Sequence, residues 1–411
     1  MNKIELLSPA GDLEILKIAI EYGADAVYIG GEFLGMRAAA KNFSKEDMAE
    51  GVKFAHERGK KVFVTVNVIP HNEDFKGIEE YLLGLEEVGV DAVIVSDPGV
   101  LSVVKEVIPN MEIHLSTQAN NTNYLSAKFW YKQGVKRVVM ARELSFEEIK
   151  EIRKNTPEDM DIEAFVHGAM CMSYSGRCLI SNYMTGRDAN RGACAQPCRW
   201  KYNLVEETRP GEYFPVYEDE QGTFFFNSKD LCMIEYIPEL VECGITSFKI
   251  EGRMKTAYYV ATVIRAYRAA IDAYYKDPEN WKFDPTWMEE LKKGSHRNYT
   301  TGFYEKKPDT QDQNYASSSY IRNYDFVGIV RGSDETTGLA TVEQRNKMVV
   351  GDEIEVIGPY IETMNAKIEK IYNEEGEEIE SAPHPRQIVK LKLDIKVEEN
   401  YMLRREIGGG N

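Results

Sequence analysis

The stretch IELLSPAGDLEILKIAIEYGADAVYIG, residues 4–30, opens the pattern that decides the fold. A short apolar run, Ile4–Ser8, leads to a helix-period stretch, Leu13–Tyr22, and then to a second run, Asp25–Gly30. Gly23 followed by Ala24 and Asp25 is what a helix end feeding a new strand requires. The same step recurs in VGVDAVIVS, residues 88–96. Further runs follow at Lys61–Val68, Asp91–Ser96, Glu112–Thr117, Arg137–Ala141, Asp161–His167 and Ser247–Glu251. Helical periodicity separates them at Lys45–Arg58, Ile78–Val88, Ala119–Gln133 and Phe146–Arg153. Eight such steps with mostly continuous apolar strands predict an α/β chain: a (β/α)8 TIM-like barrel over residues 1–276, ahead of an open doubly wound sheet.

The rhythm breaks between the seventh and eighth strands, where a Cys-rich insertion, residues 168–246, holds all six cysteines, five of them ahead of the apolar helix face that ends at Cys243. A loop after a barrel strand sits at the C-terminal mouth, where barrel enzymes keep their chemistry. Strand-like pieces occur in it at Tyr202–Glu206 and Thr223–Phe226. Beyond the helix Thr256–Tyr275, residues 277–322 are rich in Asp, Asn, Pro and Tyr and read as a connector. Residues 323–405 then alternate in period two, at Phe326–Val330, Leu339–Val342, Glu353–Ile357, Lys367–Ile371 and Gln387–Leu393, which predicts a small all-β barrel domain.

Composition narrows the function classes. The chain has 411 residues, 43% of them hydrophobic, enough for a large core and not the make-up of a disordered chain. No apolar run approaches the roughly 18–20 residues of a membrane span, and the N-terminus carries no secretory stretch. A cytoplasmic location is therefore expected, where cysteines are ligands or catalysts more often than disulfides. The net charge of −17 argues against non-specific nucleic-acid binding and leaves room only for a local basic face. HExxH, GxSxG and phosphate-cradling loops are all missing, so peptide hydrolysis has no support.

Two sets of residues carry the candidate chemistry. Cys171, Cys178, Cys194, Cys198 and Cys232 lie among glycines and polar residues in the insertion, whereas Cys243 follows an apolar helix face and reads as a buried small hydrophobe. Four thiolates suit either a structural zinc or an iron–sulfur cluster; the six residues between Cys171 and Cys178 exceed the usual zinc spacing, and a fifth cysteine leaves the fourth ligand open. In the barrel, Glu163, Phe165 and His167 share one parity on strand seven, and Lys249, Glu251 and Arg253 share one on strand eight. If both sets face inward, a carboxylate meets an ammonium, either as a structural ion-pair lattice or as catalytic groups. His167, Glu163, Lys249 and Glu251 are accordingly the catalytic candidates. Arg37, Gln118, Arg142 and Arg253 are the candidates for binding an anionic substrate at the mouth.

The segment EAFVHGAMCMSYSGRCLIS, residues 163–181, resembles the signature of the collagenase-like peptidases, family thirty-two of the unknown-type peptidases. LSPAG (7–11), SKDLC (228–232) and KIEGR (249–253) match as well, and the resemblance spans essentially the whole chain. It implies an oxygen-independent hydroxylase of tRNA, of ribosomal RNA or of a quinone precursor. It further implies a 4Fe–4S cluster, with zinc as the alternative metal, and prephenate as hydroxyl donor. Carried over residue by residue, the ligands are Cys171, Cys178, Cys194 and Cys232, with Cys198 as the alternative to the last. YSGRCLIS and GACAQPCRW, with the extra β domain, are similar to the members that make 5-hydroxyuridine at the tRNA wobble position. On that reading tRNA is a partner, beside an electron donor or a homologous partner subunit, and Lys292, Lys293 and Arg297 grip RNA phosphates. The competing readings are a collagenase-like peptidase and a zinc-stapled RNA-binding protein.

Overall fold

The computed structural model describes residues 3–35, 42–171, 173–200, 229–306 and 320–408, together with the backbone of 203–204 and 214–215. Eight parallel strands run β1 (Glu5–Pro9), β2 (Ala26–Gly30), β3 (Lys61–Val66), β4 (Ala92–Val95), β5 (Glu112–Leu115), β6 (Arg137–Val139), β7 (Asp161–Ala169) and β8 (Ser247–Ile250). Each pairs with the next, β8 pairs with both β1 and β7, and the barrel closes. The fold is the (β/α)8 barrel that the sequence pattern predicts.

The surrounding helices are α1 (Leu13–Glu21), α2 (Lys45–His56), α3 (Ile78–Val88), α4 (Pro98–Val107), α5 (Tyr124–Lys132) and α6 (Phe146–Lys154). Then come α7 (Ile180–Thr185) in the insertion, α8 (Ile237–Glu242), the long α9 (Ala257–Lys276) and α10 (Pro285–Lys293). Helices α4, α7 and α10 are not marked by the periodicity reading, and α5 starts later than it indicates. Helix α4 was not expected from it; Asp97 caps its first turn by accepting from the Gly99 and Val100 amides, and Pro98 fits there because its missing N–H has no partner to lose. Helix α5 starts at Tyr124 and not at Ala119, because Asn120 adopts a left-handed conformation and Asn123 supplies the cap to the Ser126 amide. The stretch read as a plain connector contains α10. Of the strand-like pieces in the insertion, Asn203–Leu204 pairs with Phe214–Pro215, and Thr223–Phe226 lies outside the described residues.

Strand β7 does more than close the barrel. Its upper half also pairs antiparallel with Asp230–Cys232, which in turn pairs with Tyr299–Thr300, so a small side sheet rises beside the mouth. The register against β8 slips between Lys249 and Ile250: Phe165 faces Lys249, yet Ile250 faces His167. Val166 is the extra residue, and such a bulge reverses which face the following side chain takes.

Residues Tyr324–Asp334, Leu339–Gln344, Glu353–Ile357, Met364–Tyr372, Ile388–Leu393 and Met402–Glu406 form an antiparallel sheet that closes through the pairing of Glu353–Ile357 with Met364–Tyr372. It wraps its own core around Val327, Val342, Ile368 and Leu391. The last strand, Met402–Glu406, carries Arg404 into the interface with the barrel, where the guanidinium is wholly buried. It bonds Glu290 of α10 at 2.7 Å and Glu355 at 2.8 Å, while Arg265 of α9 also holds Glu290 at 2.8 Å. Tyr22, at the end of α1, donates to the carbonyls of Asn400 and Ile357 across the same junction. Among the described residues no helix is long and apolar enough to cross a membrane.

Candidate active site and thiol array

The lumen is layered. At its base Arg137 reaches Glu163 at 3.2 Å and Asp161 at 3.3 Å and is ion-paired with Glu5; Lys249 bonds Glu163 at 2.6 Å. Burial pushes the Glu163 carboxyl up, but Lys249 and Arg137 outweigh it, and the net shift is downward. Glu163 is therefore a fixed anion. Lys249 lies 4.4 Å from the Tyr28 ring centre and level in register with Leu7, which belongs to a plug with Ala26, Phe63, Ala92 and Ile94. Glu163 and Lys249 thus meet as their parity predicts.

Above the plug the lumen turns polar. Glu251 accepts from the Tyr28 hydroxyl at 3.2 Å, and Arg253 donates to Thr65 at 2.8 Å. A Cβ at Gly30 would sit 2.5 Å from the Arg253 guanidinium, so any larger residue there would have to displace that side chain from strand β2. Arg142 donates to the Ala169 carbonyl at 2.7 Å and stacks over Phe165 at 4.4 Å. Gln118 sits in the short helix Thr117–Ala119 after β5, beneath Gly176 of the insertion. Glu251, Arg253, Arg142 and Gln118 all come from strand ends or the loops after them, the rim of the mouth. Arg37 lies outside the described residues.

His167 does not join them. The bulge at Val166 turns its ring into the helix layer, where it packs among Tyr259, Tyr267 and Tyr299, with centroids 5.5–6.2 Å away. Burial pulls it down to about 3, so it is neutral at physiological pH. An unfolded histidine takes up a proton near 6.5, whereas the folded one holds out to far lower pH. The unfolded state thus binds more protons throughout that window, and stability should decline as pH falls from about 6.5 towards 3, at up to about 1.4 kcal/mol per unit. Urea titrations of His167→Leu should show a shallower acid limb; an identical limb would mean that folded His167 protonates freely.

Cys232 lies across from His167 in the side sheet, with its sulfur 3.9 Å from the Tyr267 hydroxyl. Burial pushes its thiol up to about 12. Cys243 is buried, 3.6 Å from the Phe146 carbonyl. The other four thiols gather elsewhere. Cys198 is pushed up mainly by burial; Arg199 opposes this, and Cys171, Cys194 and Cys178 add to it, so all four share one electrostatic neighbourhood. The insertion holding them is knit by Ser181, whose hydroxyl donates to the Arg187 carbonyl at 2.7 Å and accepts from the Ala195 amide at 2.9 Å. It is pinned over the mouth by Asn120 donating to the Ser175 carbonyl, Ile69 to the Asn190 carbonyl, and Arg191 to Asp74. Among the described residues no group of three His, Cys, Asp or Glu closes on a single metal ion as it stands. Tetrahedral zinc would need its sulfurs about 3.8 Å apart.

Residues that parity and motif did not single out complete the rim. Lys255 lies 3.7 Å from the ring centre of Tyr320, which accepts from Arg297 at 2.9 Å. Burial pushes the Tyr320 phenol up, but Lys255 and Arg297 more than reverse this, with Arg199 contributing from the insertion. The signal in the sequence was faint: a lysine two places past KIEGR and a tyrosine at the end of a polar stretch. Of the three cations assigned to RNA, Lys293 is paired with Glu355 at 2.8 Å and Arg297 is buried against Asp230. Only Lys292 presents its charge to solvent.

Fold and site together define a (β/α)8-barrel protein with a thiol array over a polar mouth. The chain belongs to peptidase family U32, whose model matches residues 11–314, with the family's C-terminal domain at 322–404. It is 48% identical over 404 residues to tRNA hydroxylation protein P1 of Bacillus subtilis, covering 98% of this chain and 95% of that protein. It is 40% identical over 451 residues to tRNA hydroxylation protein P of Escherichia coli, covering 100% and 98%. A 23S rRNA 5-hydroxycytidine synthase of Escherichia coli is 41% identical over 282 residues, covering 67% of this chain and 40% of that protein.

Proposed function

We propose that the chain is an RNA hydroxylase, and that it converts the wobble uridine of tRNA to 5-hydroxyuridine without dioxygen, using a 4Fe–4S cluster and prephenate. The observation that carries the reading is the thiol array pinned over a mouth rimmed by Arg142, Arg253, Gln118 and Glu251. The RNA comes from the relatives' names.

The donor set fits the cluster. Cys171, Cys178 and Cys194 are common to both ligand sets, and thiolates are the ligands such clusters take. When bound, the cluster supplies a one-electron carrier at the rim. The rest falls to the chain's own groups. Arg142, anchored through Ala169 and Phe165, offers its remaining N–H donors to a carboxylate of the oxygen donor. Glu251, a carboxylate at the mouth that accepts from Tyr28, is the group we assign to take up the C5 proton. Hydroxylation replaces C5–H by C5–OH; the base loses two electrons, and the donor takes them as its C–O bond gives way. The peptidase reading lacks its pair: neutral His167 and an un-ionised Cys232 thiol do not carry the charges of a Cys–His nucleophile.

Deleting the gene should remove 5-hydroxyuridine, and nucleosides built on it, from wobble positions, read by mass spectrometry of digested tRNA. A Cys171→Ala complement should not restore it. Normal 5-hydroxyuridine in the deletion strain would defeat the tRNA reading in favour of ribosomal RNA or a quinone precursor. An anaerobic absorption spectrum with iron, sulfide and zinc analysis tests the metal separately. A colourless zinc protein would favour the RNA-binding scaffold.

A further inference from the structure

We infer that the outer face of the insertion, residues 173–200, is the surface that receives unpaired RNA, with aromatic rings stacking on bases and arginines meeting phosphates. The inference rests on the RNA reading above and says where on the chain the RNA lands.

Charge is the first observation. Residues 173–200 contain Arg177, Arg187, Arg191 and Arg199 against Asp188 alone, so the segment carries 4 − 1 = +3 in a chain of −17; Arg191 is ion-paired with Asp74, which leaves Arg177, Arg187 and Arg199 to meet a ligand. Arg177 and Arg187 are exposed. The second observation is apolar exposure on the same segment: Tyr183 is 90% exposed, Tyr174 49% and Trp200 44%. One exposed aromatic needs no explanation. Three on a short basic segment that overhangs the mouth do, because burying any of them inward would have stabilised the fold.

The position suits the task. Asn120 and Ile69 tie the segment to the loops after β5 and β3, so RNA held on it lies next to the mouth. Alternating π-faces and guanidinium groups are what single-stranded nucleic acid binds, since every base offers a stacking face and every linkage a negative charge. Protein interfaces also favour Tyr, Trp and Arg, so it is the steep salt dependence of phosphate contacts that separates an RNA occupant from a protein one. Of the cations first assigned to RNA, Lys293 and Arg297 are held in pairs within the fold and Lys292 faces solvent, so this face is a second described basic surface, next to the mouth.

The test uses the full-length protein and an anticodon stem-loop RNA with an unmodified wobble uridine, titrated by fluorescence anisotropy over a salt series. Tyr183→Ala should weaken binding about ten-fold, since one stacked base is lost, while Tyr183→Phe should bind like the parent. Arg177→Ala combined with Arg187→Ala should lower the slope of log affinity against log salt by roughly 1.4, about 0.7 for each single-strand phosphate contact. Thermal melting confirms that each variant is folded. If the parent binds no tRNA or stem-loop, the RNA reading itself fails. If the parent binds and these variants match it, the RNA reading stands and this face is the wrong one. Unchanged RNA affinity with altered sedimentation of Tyr183→Ala would make the face a contact for another protein chain and overturn the inference.

Discussion

Replacing Glu163 by glutamine is expected to destabilise the protein by about 3–5 kcal/mol, more than any other single change in the lumen. The substitution is nearly isosteric, so packing is preserved. What it removes is the counter-charge of Lys249, 2.6 Å away, and of Arg137, 3.2 Å away, both inside the barrel. Two cations would then share a dry cavity with only Glu5 and Asp161 to answer Arg137. Urea denaturation gives the loss, and adding Lys249→Met should recover part of it by deleting one stranded charge. A cost under about 1 kcal/mol would show that water reaches the lattice. Because the folded carboxyl is held below its unfolded value, this stabilisation is complete above about pH 4.3 and is lost as pH falls through the lower folded value.

The second large effect is on metal content. Cys171→Ala, Cys178→Ala and Cys194→Ala should each abolish iron and sulfide in anaerobically prepared protein, because removing one of four thiolates opens the site. Stoichiometric iron in any of them would strike that residue from the ligands. Cys243→Ala is the control: it should keep the metal and cost only about 1 kcal/mol of packing. Cys198→Ala against Cys232→Ala then identifies the fourth ligand. Cys198 already shares the neighbourhood of the other three, whereas Cys232 would have to leave its place beside Tyr267. A Cys232 ligand would therefore change the Tyr267 surroundings when iron is stripped, visible in near-ultraviolet circular dichroism.

Most of the barrel could be read from periodicity, since strands buried on both faces need continuous apolar runs and Gly–polar steps mark where they begin. Helix α4 escaped because a proline and glycine at its start look like a loop until Asp97 is seen as a cap. Parity placed Glu163 and Lys249 together, and it failed at His167 because one inserted residue, Val166, reverses the face and leaves no compositional trace. The thiols announced themselves by number, but their grouping did not. Cys232 is near the others in sequence and yet folds into the side sheet with Tyr267, a consequence of antiparallel pairing that spacing cannot reveal. Lys255 and Tyr320 are separated by a helix and a long connector, so their meeting at the rim is purely tertiary.

The buried Arg404 contact has a consequence for how this chain can change over generations. One guanidinium, with no water to screen it, satisfies carboxylates from α10 and from its own β domain, while Arg265 shares Glu290. Losing Glu290 leaves the buried Arg404 with Glu355 alone, whereas losing Arg404 leaves Glu290 to Arg265 and Glu355 to Lys293, so the seam drifts more easily at some members than at others. Where both domains are present, substitutions at 290 and 404 should be correlated across relatives, since that pair carries the buried guanidinium, while 265 and 355 should vary more freely.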